Sequence, residues 1–134
     1  ENVNRVIAFR LDGGEVPLPP KRAPVVFEEP PQLRATQASI RRGEVLFVQE
    51  CSRCHVMGVS VTPDLRQLSG AQHSAFDDIV LRGAVAPTGM ERFDDLLTKD
   101  EVDSIHAYII DEAWKAYRSQ VRPRPGPRGH GKNH

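Results

Sequence analysis

Five consecutive residues, Cys51-Ser52-Arg53-Cys54-His55, constrain this chain more than any other stretch. Cys-x-x-Cys-His is the pattern of a covalent c-type haem attachment site. Two thiols three positions apart at a helix end can each add to one vinyl group of the same porphyrin. The adjacent imidazole is then held under the ring, where it can bind iron as the proximal ligand. A thioredoxin-like redox pair would want a βαβ pattern around it, and none is visible. A structural zinc site needs four ligands. The chain has only two cysteines, so zinc would have to recruit His73 or His106 at unsupported spacings. The motif therefore predicts haem c, with Cys51 and Cys54 as thioether anchors, His55 on the iron and no disulfide.

A six-coordinate iron needs a second axial ligand, and a thioether favours the ferrous state. Of the two methionines, Met57 is too close to His55 in sequence to reach over the ring. Met90 is far enough along for the chain to travel round the porphyrin edge. It ends Gly83-Ala84-Val85-Ala86-Pro87-Thr88-Gly89-Met90, a turn-rich run of small residues that lets backbone lie close to a flat ligand. A lone Met is more often core filler, but the upstream motif reverses that weighting and makes Met90 the expected distal ligand. Pro63 keeps its carbonyl, and a metal-ligating His commonly donates its other ring N–H to such a group. An ordinary turn proline would look the same. Arg66 or Arg92 could hold a propionate, and either could equally be a solvated surface arginine.

The flanking pattern is helical. Ser39 can cap a helix running to about Glu50, with Ile40, Gly43, Phe47 and Val48 on one buried face. Gly43 in mid-helix costs close to ~1 kcal/mol against Ala and is best explained by a helix crossing at close range. Thr98-Lys99-Asp100-Glu101 is a capping box, with Leu97 and Val102 as its hydrophobic staple. Val102, Ile105, Tyr108 and Ile109 continue as an apolar stripe towards Trp114. Between them, residues 74–82 read as a short helix with Phe76, Ile79 and Val80 inward and Gly83 as its stop. The fold class is all-α around one haem. A core this small usually needs a staple, and a buried porphyrin could be it.

Gly43-Glu44-Val45-Leu46-Phe47, the haem motif, Pro63-Asp64-Leu65, Gly89-Met90, Phe93 and Ile105-His106-Ala107-Tyr108 together resemble a class I cytochrome c over residues 38–117. The resemblance implies Cys51 and Cys54 as anchors, His55 and Met90 as axial ligands, and the Pro63 carbonyl on the ligand imidazole. It also implies that the first and last helices cross near Gly43, Phe47, Ile105 and Tyr108. Many members place Pro directly after the ligand Met, whereas Glu91 stands there here.

Residues 4–11 read as a strand ending at the Asp12-Gly13-Gly14 turn. A lone strand cannot satisfy its own ladder hydrogen bonds, so it is either a frayed tail or the last strand of a β domain. Residues 15–38 follow as a linker, with six prolines between Glu15 and Pro31 that favour an extended, semi-rigid connector. The haem domain then spans 39–117 and a tail 118–134. This order, with Ile79-Val80-Leu81-Arg82-Gly83-Ala84 and Ile105-His106-Ala107-Tyr108-Ile109-Ile110-Asp111, resembles the junction in quinohaemoprotein alcohol dehydrogenases. That likeness implies a pyrroloquinoline quinone (PQQ) β-propeller, with calcium, on the missing part of the protein or on another chain. It implies one-electron transfer from that quinone to the haem, then to an external acceptor such as a small copper protein or another cytochrome. It also implies the bacterial periplasm.

Net charge zero conceals a division. Residues 38–117 carry eight basic against thirteen acidic side chains, whereas residues 118–134 carry five basic and no acidic ones. The tail lacks apolar anchors and predicts disorder. Such a tail suits a solubilising end or loose contact with an acidic surface. Nucleic-acid binding is excluded for want of a folded basic face or aromatic stacking platform. No apolar run is long enough to span a membrane. Val56, Met57, Gly58 and the 84–87 loop are candidates for the rim of an exposed haem edge. Two other functions fit the motif: a free-standing carrier, and a haem enzyme or sensor with an open sixth position.

Overall fold

Thr36 opens the first helix by accepting the Ser39 N–H on its side-chain oxygen at 3.2 Å. The helix α1 spans Gln37–Leu46 and runs directly into a π-helical turn, Phe47–Cys51. In this computed structural model residues 25–58 and 62–121 are described, and none of them forms a β-strand. The expected strand at 4–11, the Gly-Gly turn, the first part of the proline segment and the tail beyond Val121 lie outside the described residues.

The helix cap is therefore Thr36, three residues before the expected Ser39. Ser39 sits inside it, its hydroxyl 3.3 Å from that of Ser104. Val48, expected on the buried face, is 59% exposed, whereas Ile40, Gly43 and Phe47 are buried; a step of about 100° per residue carries it from Phe47 onto the flank of the helix.

The long C-terminal helix α4, Lys99–Val121, begins at the expected capping box. The Thr98 N–H donates to Glu101 Oε2 at 3.0 Å, and the Glu101 N–H donates back to Thr98 Oγ1 at 3.4 Å. Leu97 and Val102 are both buried beside it as the staple. Helix α4 also outruns the predicted end of the domain at 117. Its last turns are held by Gln120, whose amide oxygen accepts the Phe27 N–H at 2.7 Å and whose Nε2 donates to the Phe27 carbonyl at 3.1 Å.

Helices α1 and α4 cross with backbones almost in contact. A Cβ built on Gly43 would lie 1.9 Å from the Ser104 carbonyl oxygen, which no real side chain tolerates. One turn further, the Phe47 and Tyr108 rings meet with centroids 5.3 Å apart. Ile105, Ile109 and Val102 are essentially inaccessible; each contributes about 1.5–3 kcal/mol of burial. The expected single helix at 74–82 is two, α2 (Gly70–Ser74) and α3 (Phe76–Arg82). Ser69 and Gln72 form a capping box that starts the chain turning earlier. Phe76 and Val80 are buried as expected, while Ile79 is only half-buried.

The proline-rich segment packs rather than hanging free. From Val25 to the α1 cap it has no regular secondary structure, yet Pro30 is buried. Its Pro31 carbonyl accepts the Trp114 indole N–H at 2.8 Å. This strap runs along the second half of α4.

Two histidines seal α2 and α3 against α4. His73 Nδ1 and His106 Nε2 are 2.8 Å apart, and the His106 ring stacks on Phe76 at 4.2 Å. Burial pushes the His106 imidazole down to about 4; the neighbouring His73 adds to the shift, Asp77 and Asp103 oppose it, and Lys99 contributes in the downward sense. His73 is lowered by burial as well. In the unfolded chain both titrate near ~6.5, so below that pH the unfolded state binds more protons than the fold does. Stability should fall as pH drops from about 6.5 towards 4 and level off below that. Thermal melts should show the decline in the wild type and a flatter profile in His106→Gln. Equal slopes would contradict it.

Candidate haem-binding site

The π turn delivers the motif. The Ser52 N–H reaches back five residues to the Phe47 carbonyl at 2.9 Å, and the Ser52 hydroxyl donates to the Val48 carbonyl at 2.7 Å. A π turn inside a helix is uncommon and often marks a functional position. The chain then doubles over Cys51, whose carbonyl accepts the N–H groups of Cys54 at 3.2 Å and His55 at 2.9 Å. Cys51 is half-buried and Cys54 exposed. Burial, helped by Glu50, pushes the free Cys51 thiol up to about 11.

His55 is oriented by backbone. Its Nδ1–H donates to the Pro63 carbonyl at 3.0 Å, which fixes the tautomer and leaves Nε2 as the nitrogen available to a metal. The loop carrying that carbonyl is closed by two more contacts. The Thr62 hydroxyl donates to the Cys54 carbonyl, and the Gly58 N–H donates to Asp64 Oδ2 at 3.1 Å. Gly58 has φ +86°, a left-handed conformation that suits glycine.

Asp64 is the hub of this loop. It accepts the Arg66 backbone N–H at 3.0 Å, and Arg66 grips the same carboxylate through Nε at 3.0 Å and a terminal nitrogen at 2.6 Å. Burial alone would raise the Asp64 carboxyl, but the Arg66 and Gly58 hydrogen bonds outweigh it and hold the group below its usual range. Arg66, one of two candidates for a propionate, is paired with Asp64 here, and its guanidinium lies 5.2 Å above the Phe27 ring. Arg92 pairs with Asp94 at 3.1 Å on the surface. The Phe27, Gln120 and Trp114 contacts gave no sequence signal. Asp64 did: an Asp two residues before an N–H it can accept is a turn and capping signature.

Met90 arrives from the other side of the sequence. Gly83, at φ +69°, ends α3, and the Ala84 N–H closes on the Asp78 carbonyl at 3.0 Å. A short 3₁₀ turn, Ala86–Thr88, ends at Gly89 with φ +98°. The Phe93 N–H then ties the chain to the Val80 carbonyl at 2.8 Å. Met90 and Phe93 pack against the same buried apolar cluster as Cys51, Met57, Leu65 and Leu68. Cys51 and Met90 share one apolar cluster, with Cys54 and the carbonyl-bound imidazole of His55 in the adjoining turn; this donor set fits haem c.

A family model described as "Cytochrome C oxidase, cbb3-type, subunit III" matches residues 38–109. The chain belongs to this cytochrome c family. Membership implies covalently attached haem c with its iron. Among curated relatives, quinohemoprotein alcohol dehydrogenase ADH IIB of Pseudomonas putida is 38% identical over 129 residues, covering 93% of this chain and 19% of that protein. The chain is also 27% identical to cytochrome c6 of Rippkaea orientalis, over 67% of its own length and 86% of the relative's. The solved structure of quinohemoprotein alcohol dehydrogenase ADHIIG from Pseudomonas putida superposes with a TM-score of 0.65 at 37% identity, over 78% of this chain and 16% of that one. The cytochrome domain thus spans under a fifth of the dehydrogenases it matches. Its all-α architecture is the cytochrome c fold.

Proposed function

We propose that this cytochrome domain holds one haem c and relays electrons singly, out of a PQQ-bearing dehydrogenase domain and on to an external acceptor. The observation that carries the reading is the His55–Pro63 hydrogen bond in a chain whose dehydrogenase relatives it matches across almost its whole length. The PQQ and its calcium would belong to the dehydrogenase portion, on the same or another chain, and the acceptor would be a small copper protein or another cytochrome. The periplasm is the compartment that suits this assembly. Among the described residues no helix is long and apolar enough to cross a membrane.

In this reading Cys51 and Cys54 would anchor the porphyrin, and His55 Nε2 and the Met90 sulfur would hold the iron. Bound haem supplies a one-electron couple between ferric and ferrous iron. The chain does the rest. The Pro63 carbonyl raises the basicity of His55 and fixes its plane. Met90 supplies a soft ligand that favours the ferrous state. Phe47, Val80, Leu97 and Ile105 form the buried core behind the site and exclude water, so the extra charge of ferric iron is disfavoured. Ligands held by backbone hydrogen bonds and packed helices need little rearrangement when the charge changes. Val56, half-exposed beside the motif, belongs to the apolar rim through which electrons enter and leave.

Stopped-flow mixing tests this function. The ferric domain, joined to or mixed with a PQQ-loaded dehydrogenase domain, should develop the ferrous spectrum when a primary alcohol is added, and only then. Persistence of the ferric spectrum while alcohol is oxidised would contradict the assignment.

A further inference from the structure

The strap that precedes the haem domain touches the loop that orients the proximal imidazole, and the contact runs through three side chains. Phe27 is fixed to α4 at both its N–H and its carbonyl by Gln120, at 2.7 and 3.1 Å. Its ring lies under the Arg66 guanidinium at 5.2 Å. Arg66 grips Asp64 through two side-chain nitrogens, and Asp64 closes the loop on the Gly58 N–H. Pro63, adjacent to Asp64, supplies the carbonyl that accepts from His55. The arginine and the carboxylate are both largely buried, with side-chain exposures of 22% and 12%. A charged pair in that setting is held far more firmly than a surface one.

We propose that Arg66 and Phe27 are positioning residues for the proximal ligand: through Asp64 they hold the Pro63 carbonyl on His55, and so tie the proline-rich strap to the electronic state of the iron. The inference rests on the reading of His55 as an axial ligand. Arg66 then acts on the haem through Asp64, not as a direct partner of a propionate. A planar fork stacked on an aromatic ring and bidentate to a carboxylate is a role lysine cannot fill. Loosening the fork frees the turn at Pro63 and Asp64, weakens the Nδ1–H···O=C bond, lowers the basicity of the imidazole and raises the reduction potential.

The test is a double-mutant cycle in the full haem-loaded chain, with far-UV circular dichroism confirming the fold. Hydrogen exchange of the His55 ring Nδ1–H is read by NMR in the ferrous state, and the midpoint potential by spectroelectrochemical titration. Arg66→Met and Asp64→Asn should each speed exchange about tenfold, and the double variant no more than either alone. Each should also shift the ferrous-to-ferric ratio at fixed poise about threefold, which is about 28 mV at 59 mV per tenfold for one electron. Phe27→Ala should show a smaller effect that disappears in the Arg66→Met background. Arg66→Lys, which keeps the charge and loses the fork, should fall between and covers the case in which Asp64→Asn does not fold. Unchanged exchange in Arg66→Met, or effects that multiply in the double variant as an independent propionate contact would give, overturns the proposal. A wild-type protein with no haem-shifted His55 resonance fails the ligand assignment itself, before any variant is compared.

Discussion

Gly43→Ala is expected to melt about 5–15 °C below the wild type. The added methyl would start 1.9 Å from the Ser104 carbonyl oxygen and 2.4 Å from its carbon. Both are backbone atoms of α4 and cannot rotate away. The helices must separate, which strains the packing of Phe47, Val102 and Ile105 on either side of the crossing. Overpacking of this kind costs about 1–3 kcal/mol and occasionally more. Alanine's better helix propensity returns at most ~1 kcal/mol, so the clash wins. For a domain of this size each net kcal/mol lowers the melting temperature by about 4–8 °C. Gly70→Ala is the matched control, because a Cβ there meets nothing within 4 Å, and it should melt no lower than wild type. Equal melting of the two variants would show that α1 and α4 do not cross at Gly43.

Met90→Ala is expected to lower the midpoint potential on the order of 0.1 V, a modest part of the ~0.8 V range that axial ligands command. Two effects act together. The thioether that favours ferrous iron is lost, and a side chain packed against the apolar cluster beside Phe93 and Leu81 is replaced by one that admits water, which favours ferric iron. The fold should survive, because Met90 is only partly buried and the chain around it is held by backbone bonds from Phe93 to Val80 and from Gly89 to Ala86. Spectroelectrochemical titration reads the shift. A change of less than about 18 mV, a twofold effect, would remove Met90 from the iron.

The parts of this fold that were legible in the sequence are those whose signal is local. The capping box at Thr98 and Glu101 needs only four residues, and Gly43 announced a close crossing because no other explanation suits a glycine there. The misreadings have equally physical causes. Thr36 and Ser39 are both competent caps, and choosing between them needs the backbone angles that place Thr36 in extended conformation. Val48 is apolar and next to the buried Phe47, but adjacent helix positions point about 100° apart, and residue type alone does not tell that it faces out. The strap illustrates the largest gap. Its prolines indicate extended backbone, but the Gln120 clamp on Phe27 and the Trp114 bond to Pro31 join positions about ninety residues apart. No periodicity links such partners. At the site, the candidate donors stand in one motif and one loop, and Asp64 carries a local turn signature, whereas the Arg66 grip on Asp64 and its stacking on Phe27 depend on the folded loop.

The visible spectrum of the haem-loaded chain, taken ferric and then reduced under carbon monoxide, tests the central assignment most directly. With His55 and Met90 both on the iron, the ferric protein should show the weak far-red band of methionine ligation, and the reduced protein should leave carbon monoxide unbound. Met90→Ala should lose the band and bind the gas. A wild type without the band that takes up carbon monoxide readily would contradict the electron-carrier account and mark an open sixth position instead.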